Sequence, residues 1–192
     1  MTLLILGLLL FLGVHSVRVF AEGWRGGVRA RLGEGAYKGL YTLASVAGLV
    51  LIVWGYGVAR QQPVALWLPP VWTRHLAALM LVPAFILLVA AYVPGNSIKA
   101  KVHHPMVLGV KVWALAHLLA NGTLADVLLF GGFLVWAVLC FRAARQRDRA
   151  GRISYPAGRT GPTLVAVSVG VAAWAGFAFW AHAVLIGVRP FG

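Results

Sequence analysis

This sequence predicts an all-α integral membrane bundle, on three observations. Hydrophobic residues make up 61% of the 192 positions and only four residues are acidic. Apolar stretches close to the thickness of a bilayer recur six times along the chain. The formal charge of +13 falls almost entirely between those stretches. A helix at the surface of a water-soluble protein needs only one apolar stripe, so runs that are apolar all round point to lipid. Six such runs leave no length for a soluble domain, and a single transmembrane domain over residues 1–192 is expected.

The first run, residues 2–20, has no basic segment before it and stays apolar too long for the core of a secretory signal, so it reads as a retained span. Residues 39–59 and 76–93 form the second and third. Between them, Gln61-Gln62-Pro63 through Pro69-Pro70 makes a loop bounded by proline, and its Leu66-Trp67-Leu68 fits the membrane interface. The fourth run, 106–120, is short for a crossing unless Pro105 and Asn121 lie at the interface. Asn121-Gly122 then supplies a turn, and Thr123 with Asp126 predicts a capped start for the fifth run, 124–141. The sixth, 163–188, is long enough to tilt. Gly131, Gly132, Gly170 and Gly176 are expected where helices approach closely.

Charge orients these spans. Arg18, Arg25, Arg29, Arg31 and Lys38 follow the first span. Lys99 and Lys101 follow the third, and Arg142, Arg145, Arg147, Arg149, Arg152 and Arg159 the fifth. The opposite connections hold only Arg60, Arg74 and Arg189. The positive-inside rule makes the richer set cytoplasmic and puts both termini on the outer, periplasmic side of a bacterial inner membrane. The same distribution argues against nucleic acid as a partner, because the cations follow topology and form no basic face interleaved with aromatics.

Chemistry is narrowed by what the sequence lacks. Glu22, Glu34 and Asp148 fall in cytoplasmic connections and Asp126 at an outer helix start, so no carboxylate sits mid-membrane to couple ion transport. There is no Cys-x-x-Cys, His-Glu-x-x-His, P-loop or Gly-x-Ser-x-Gly motif, and the single cysteine, Cys140, has no partner for an internal disulfide. The functional inventory is therefore His15, His75, His103, His104, His117 and His182. His75 reads as an interface residue, and His103-His104-Pro105 as a helix start with proline in its favoured first position. His15, His117 and His182 lie inside spans. Imidazoles on different helices suit haem iron, since neutral imidazole is a good iron ligand and a porphyrin fits the apolar space of a bundle.

At these residues the chain resembles a known family. Leu12-Gly13-Val14-His15-Ser16, the basic stretch with Leu32-Gly33-Glu34, Tyr92-Val93-Pro94-Gly95-Asn96 and Leu118-Leu119-Ala120-Asn121-Gly122 are similar to the NnrU family over nearly the whole chain. More distantly, His104-Pro105-Met106-Val107-Leu108-Gly109 leading to Trp113-Ala114-Leu115-Ala116-His117 resembles 15-cis-zeta-carotene isomerase. The isomerase resemblance implies a membrane haem b held by two histidines, at the positions of His15 and His117, and a cis-to-trans isomerisation of a polyene on ferrous iron. The NnrU resemblance implies a place in denitrification beside nitrite and nitric oxide reductases, and hence a diatomic gas or a respiratory enzyme as a partner. Ala114 stands where the isomerase has a cysteine implicated in exchange of an iron ligand, so that step is not carried over.

The two expected ligands differ in depth. At about 1.5 Å per residue, His15 lies roughly 20 Å from the outer end of its span and His117 about 6 to 9 Å from that of its own. His117 with His182, and His15 with His104, stay open as alternative pairs for iron. Two other function classes also stay open. The first is a methyltransferase similar to the isoprenylcysteine carboxyl methyltransferases, whose Arg-His-Pro-x-Tyr-x-Gly motif resembles His103-His104-Pro105 with Gly109. The second is a non-enzymatic accessory protein for respiratory nitrite or nitric oxide reductases.

Overall fold

The computed structural model describes residues 1–191, and these form helices joined by short turns; among them the only β pairing is two isolated bridges, Ala65 with Thr123 and Asn96 with Arg159. The helices are α1 (Thr2–Phe20), α2 (Glu22–Leu32), α3 (Glu34–Ala59), α4 (Val71–Tyr92), α5 (Ser97–Val102), α6 (Pro105–Ala120), α7 (Leu124–Ala150), α8 (Thr160–Gly176) and, beyond a π-helical turn at Phe177–Ala181, α9 (His182–Ile186). Five helical segments are long and apolar enough to cross a bilayer: α1, α3, α4, α7 and the continuous run Thr160–Ile186. The expected fourth span is α6, an apolar helix of 16 residues. Its length of about 24 Å falls short of the hydrocarbon thickness of about 30 Å, as its sequence limits imply. Leu43, Val53, Leu79 and Val135, all well inside long helices, are exposed, which lipid tolerates and water would not.

Helix ends depart from the apolar limits for identifiable reasons. α3 starts at Glu34, not 39, and α4 at Val71, not 76, directly after Pro70 as its N-cap. The most consequential change is at α7, which continues nine residues past Phe141 to Ala150. Arg, Ala and Gln are strong helix formers, so the helix persists where hydropathy has already fallen. The basic connection after the first span is itself a helix, α2, with Glu22 2.9 Å from Arg25; Glu34 at the next helix start lies 2.7 Å from Lys38. These i,i+3 and i,i+4 pairs are the sequence signal for helix there.

One compact unit comprises Met1–Trp67 and Gly122–Cys140. Within it α1 and α3 touch backbone to backbone. A Cβ placed on Gly7 would lie 2.6 Å from the Ile52 nitrogen, one on Gly48 2.8 Å from the Phe11 nitrogen, and one on Gly55 would collide with the Leu4 backbone. Such approach maximises dispersion where no hydrophobic effect drives helices together. Leu4, Leu8 and Ile52 are buried at this seam. The loop after α3 is pinned by Leu66 and Trp67 nitrogens donating to the Gly122 carbonyl at 2.8 and 3.2 Å and by Leu124 donating to the Val64 carbonyl at 2.9 Å. α7 opens with the expected capping box: the Thr123 nitrogen donates to Asp126 Oδ2 at 2.9 Å, and the Asp126 nitrogen to Thr123 Oγ1 at 3.3 Å. The buried Asp126 also accepts from the Tyr56 hydroxyl at 2.6 Å.

The second unit comprises Leu68–Asn121 and the chain from Phe141 onward. Here α4 packs against α6 and α8. A Cβ on Gly109 would lie 3.0 Å from the Ala84 oxygen and one on Gly170 2.6 Å from the Ile86 Cα. Ala84, Ala90, Ala114 and Ala166 are buried in the same unit. The turn between α4 and α5 is organised by buried Asn96, whose side-chain nitrogen donates to the Ala90 oxygen at 2.8 Å and whose oxygen accepts from the Lys99 nitrogen at 2.8 Å. Of the glycines expected at close approaches, Gly170 and Gly132 meet a neighbouring helix, Gly132 through Leu12, whereas Gly131 and Gly176 face open space. In an all-apolar helix, sequence does not mark which side faces a neighbour.

Replacing Gly48 by valine should overpack the α1–α3 seam, at a cost of about 1–3 kcal/mol. Gly57 has nothing within 4 Å of its would-be Cβ, so Gly57→Val is the matched control. Thermal unfolding in detergent should show a clear drop in midpoint for the first and little change for the second.

Candidate functional site

His15 lies in the last third of α1, half-buried, with its Nδ1 2.7 Å from the Phe11 carbonyl oxygen one turn back. A carbonyl only accepts, so the ring proton is on Nδ1 and the Nε2 lone pair is the acceptor or metal-binding atom. Phe11 stacks on the imidazole at 4.2 Å, Tyr41 of α3 tilts against it at 5.2 Å, and Trp136 of α7 meets it edge-on at 6.2 Å. The Trp136 Nε1 is buried with no hydrogen-bond partner. A buried unpaired donor is costly; this one stands beside a histidine whose tautomer presents a lone pair.

His117 repeats the arrangement in the other unit. Its Nδ1 is 2.9 Å from the Trp113 carbonyl oxygen, again one turn back, and the Trp113 ring lies 5.1 Å away. The backbone carbonyl of His117 accepts from the Asn121 backbone and side-chain nitrogens at 3.0 and 2.9 Å, which fixes the last turn of α6. Ala114 and Ala116 beside it are fully buried. His182 follows the π-helical turn and holds its Nδ1 2.7 Å from the Val188 oxygen, with Phe177 edge-on at 5.7 Å.

His103 and His104 belong to a cluster that sequence reasoning left scattered. Asp148, on the part of α7 expected to be a loop, is its centre: His104 Nε2 lies 2.8 Å from Asp148 Oδ2, Tyr155 donates to the same oxygen at 3.2 Å, and Arg145 stands 3.7 Å away. Arg145 also donates to His103 Nδ1. That nitrogen therefore accepts, and its 3.6 Å approach to Asp148 is no ion pair. Tyr155 packs on the His103 ring at 4.0 Å. His103 caps α5 with φ +67°, a left-handed conformation unusual for a residue with a side chain, and His104 caps α6 with Pro105 at its first position, as expected. The signal that would have found the cluster is Arg145 with Asp148 at i,i+3, legible only once residues 142–150 are read as helix.

His15, His117 and His182 commit Nδ1 to a backbone carbonyl, the first two to the carbonyl one turn back and His182 to Val188 beyond it; His104 commits Nε2 to a carboxylate, and His103 accepts at Nδ1 from Arg145. Among the described residues no three His, Cys, Asp or Glu side chains gather so as to hold a metal ion. A haem needs only one or two protein ligands, because the macrocycle supplies the other four.

Five helical segments of bilayer length, lipid-tolerant surfaces and polar groups gathered at a few points define a multi-pass, all-helical membrane protein. Its chain belongs to the NnrU family, whose model, described as NnrU protein, matches residues 3–190. No curated protein and no solved structure matches it.

Partial burial, and then the Asp148 carboxylate to which it donates, push the Tyr155 phenol above its ordinary value of 10.0. With a raised value in the fold, the stability from this bond is complete below pH 10.0 and is lost as pH climbs through the folded value. Difference titration of tyrosinate absorbance between wild type and Tyr155→Phe should show a component ionising above pH 10.0.

Proposed function

We propose that this NnrU protein is a haem b protein of the bacterial inner membrane, with His15 and His117 as iron ligands and its arginine-rich connections on the cytoplasmic side. The observation that carries this reading is the shared ring setting: each imidazole donates Nδ1–H to the carbonyl four residues earlier. Histidines that ligate metals generally donate their other nitrogen to a carbonyl or carboxylate, which orients the ring and raises its basicity. His104 is the weaker candidate because Asp148 already engages its Nε2. The donor set at His15 also fits a haem, since Phe11, Tyr41 and Trp136 offer flat apolar faces and the buried Trp136 Nε1 lacks an acceptor.

A haem held this way would supply a reducible iron suited to nitrogen-oxide-linked redox chemistry, or to isomerisation of a polyene. The chain's own residues orient the imidazoles and pack them against aromatic side chains, with fully buried alanines beside His117. Ala114 offers a buried methyl and no thiol, so α6 has no cysteine to exchange with His117. This favours the nitrogen-oxide reading over the isomerase one.

Protein purified from haem-replete cells should show a Soret band whose reduced form differs from the oxidised one. His15→Ala and His117→Ala should each lose most of it, and His75→Ala should keep it. A wild type without haem, or a band unchanged in both ligand variants, overturns the proposal.

A further inference from the structure

Past its apolar stretch, α7 carries Arg142, Arg145 and Arg149, spaced three and four residues apart and so on one face. With Phe141 and Gln146 they line a surface groove of about 360 Å³. The three arginines are not equivalent. Arg145 is held from behind by His103 and Asp148, which fixes its guanidinium. Arg149 Nε donates to the Arg145 carbonyl at 3.3 Å. Among the described residues Arg142 makes no hydrogen bond or ion pair. Lys111 adds a fourth cation, its ammonium 5.5 Å from the centre of the Phe141 ring.

The groove therefore holds more positive charge than its surroundings neutralise. Asp148 is the acid beside it, and that carboxylate is already shared by His104, Tyr155 and Arg145. Like charges on adjacent turns repel unless an anion lies between them, and forked guanidinium groups match the oxygens of a phosphate. Phe141 closes the apolar length of α7, so the groove begins where hydrocarbon gives way to headgroups. Arginines over an aromatic residue at that level suit a molecule with an anionic phosphate above and an acyl chain below.

We propose that Arg142, Arg145 and Arg149 over Phe141 form a binding site for the phosphate headgroup of an anionic phospholipid. The site is independent of any haem at His15 or His117. Its work is to hold the end of α7 at a fixed depth, and with it Asp148, on which the α5–α6 junction closes.

The test compares two double variants that remove equal charge: Arg142→Gln with Arg149→Gln in the groove, and Arg25→Gln with Arg29→Gln on α2. Full-length protein in detergent micelles is titrated with phosphatidylglycerol or phosphatidylcholine, and binding is read by native mass spectrometry and by thermal midpoint. Phosphatidylglycerol should bind and stabilise the wild type and the α2 variant, and bind about tenfold more weakly to the groove variant. Equal loss in both variants would show only the overall field, and equal binding of phosphatidylcholine would remove the charge requirement; either overturns the proposal. Inorganic phosphate stabilising the protein as strongly as the lipid would overturn a lipid occupant. Should the glutamine variant fail to fold, Arg142→Lys with Arg149→Lys keeps the charge and loses the fork. It should bind several-fold more weakly, and undiminished binding contradicts the site.

Discussion

A polar group inside a bilayer has no water to bond with, so each one must be answered from within the chain. Most of this structure can be read as the consequence. The carbonyl of Phe11 answers His15 and that of Trp113 answers His117. Thr123 and Tyr56 surround Asp126, and Asn96 ties off the end of α4 with bonds from both ends of its amide. Where every donor and acceptor is answered, position is fixed. The exception among the described residues, the Trp136 Nε1, is therefore informative: its ring stands beside His15, whose Nδ1 is committed to a backbone carbonyl.

Packing follows from the same solvent. Lipid is as apolar as leucine, so helices gain little by burying leucine and more by bringing backbones together. The seam of Gly7, Gly48 and Gly55 gives α1 and α3 that contact, and Gly109 and Gly170 do the same around α4. Charge is then kept to helix ends, where Asp148 gathers His104, Arg145 and Tyr155.

Much of this was legible from residues alone, for physical reasons. Apolar length marks helices that face lipid, and all six expected runs are helical. The Thr123–Asp126 cap and Pro105 at the head of α6 follow from local hydrogen-bonding rules that hold in any solvent. Three features were hidden. The extension of α7 to Ala150 is polar helix, invisible to hydropathy, so hydropathy alone assigns Asp148 to a loop. α2 is polar helix too, and hydropathy shows only a basic connection there. The α1–α3 glycine seam escaped because glycine spacing alone does not tell contact from open space, as Gly131 and Gly176 show. At the candidate ligands, sequence placed His15 and His117 inside helices, while the ring tautomers that make them suitable depend on which carbonyl each side chain meets.

The account rests on those tautomers, and nitrogen chemical shifts read them directly. Reduced protein labelled with ¹⁵N-histidine, with single variants to assign the resonances, should show His15 and His117 protonated at Nδ1 with Nε2 as the unprotonated nitrogen, and His104 protonated at Nε2. A proton on Nε2 of His15 or His117 would contradict the account, because the atom assigned to the iron would then be a donor.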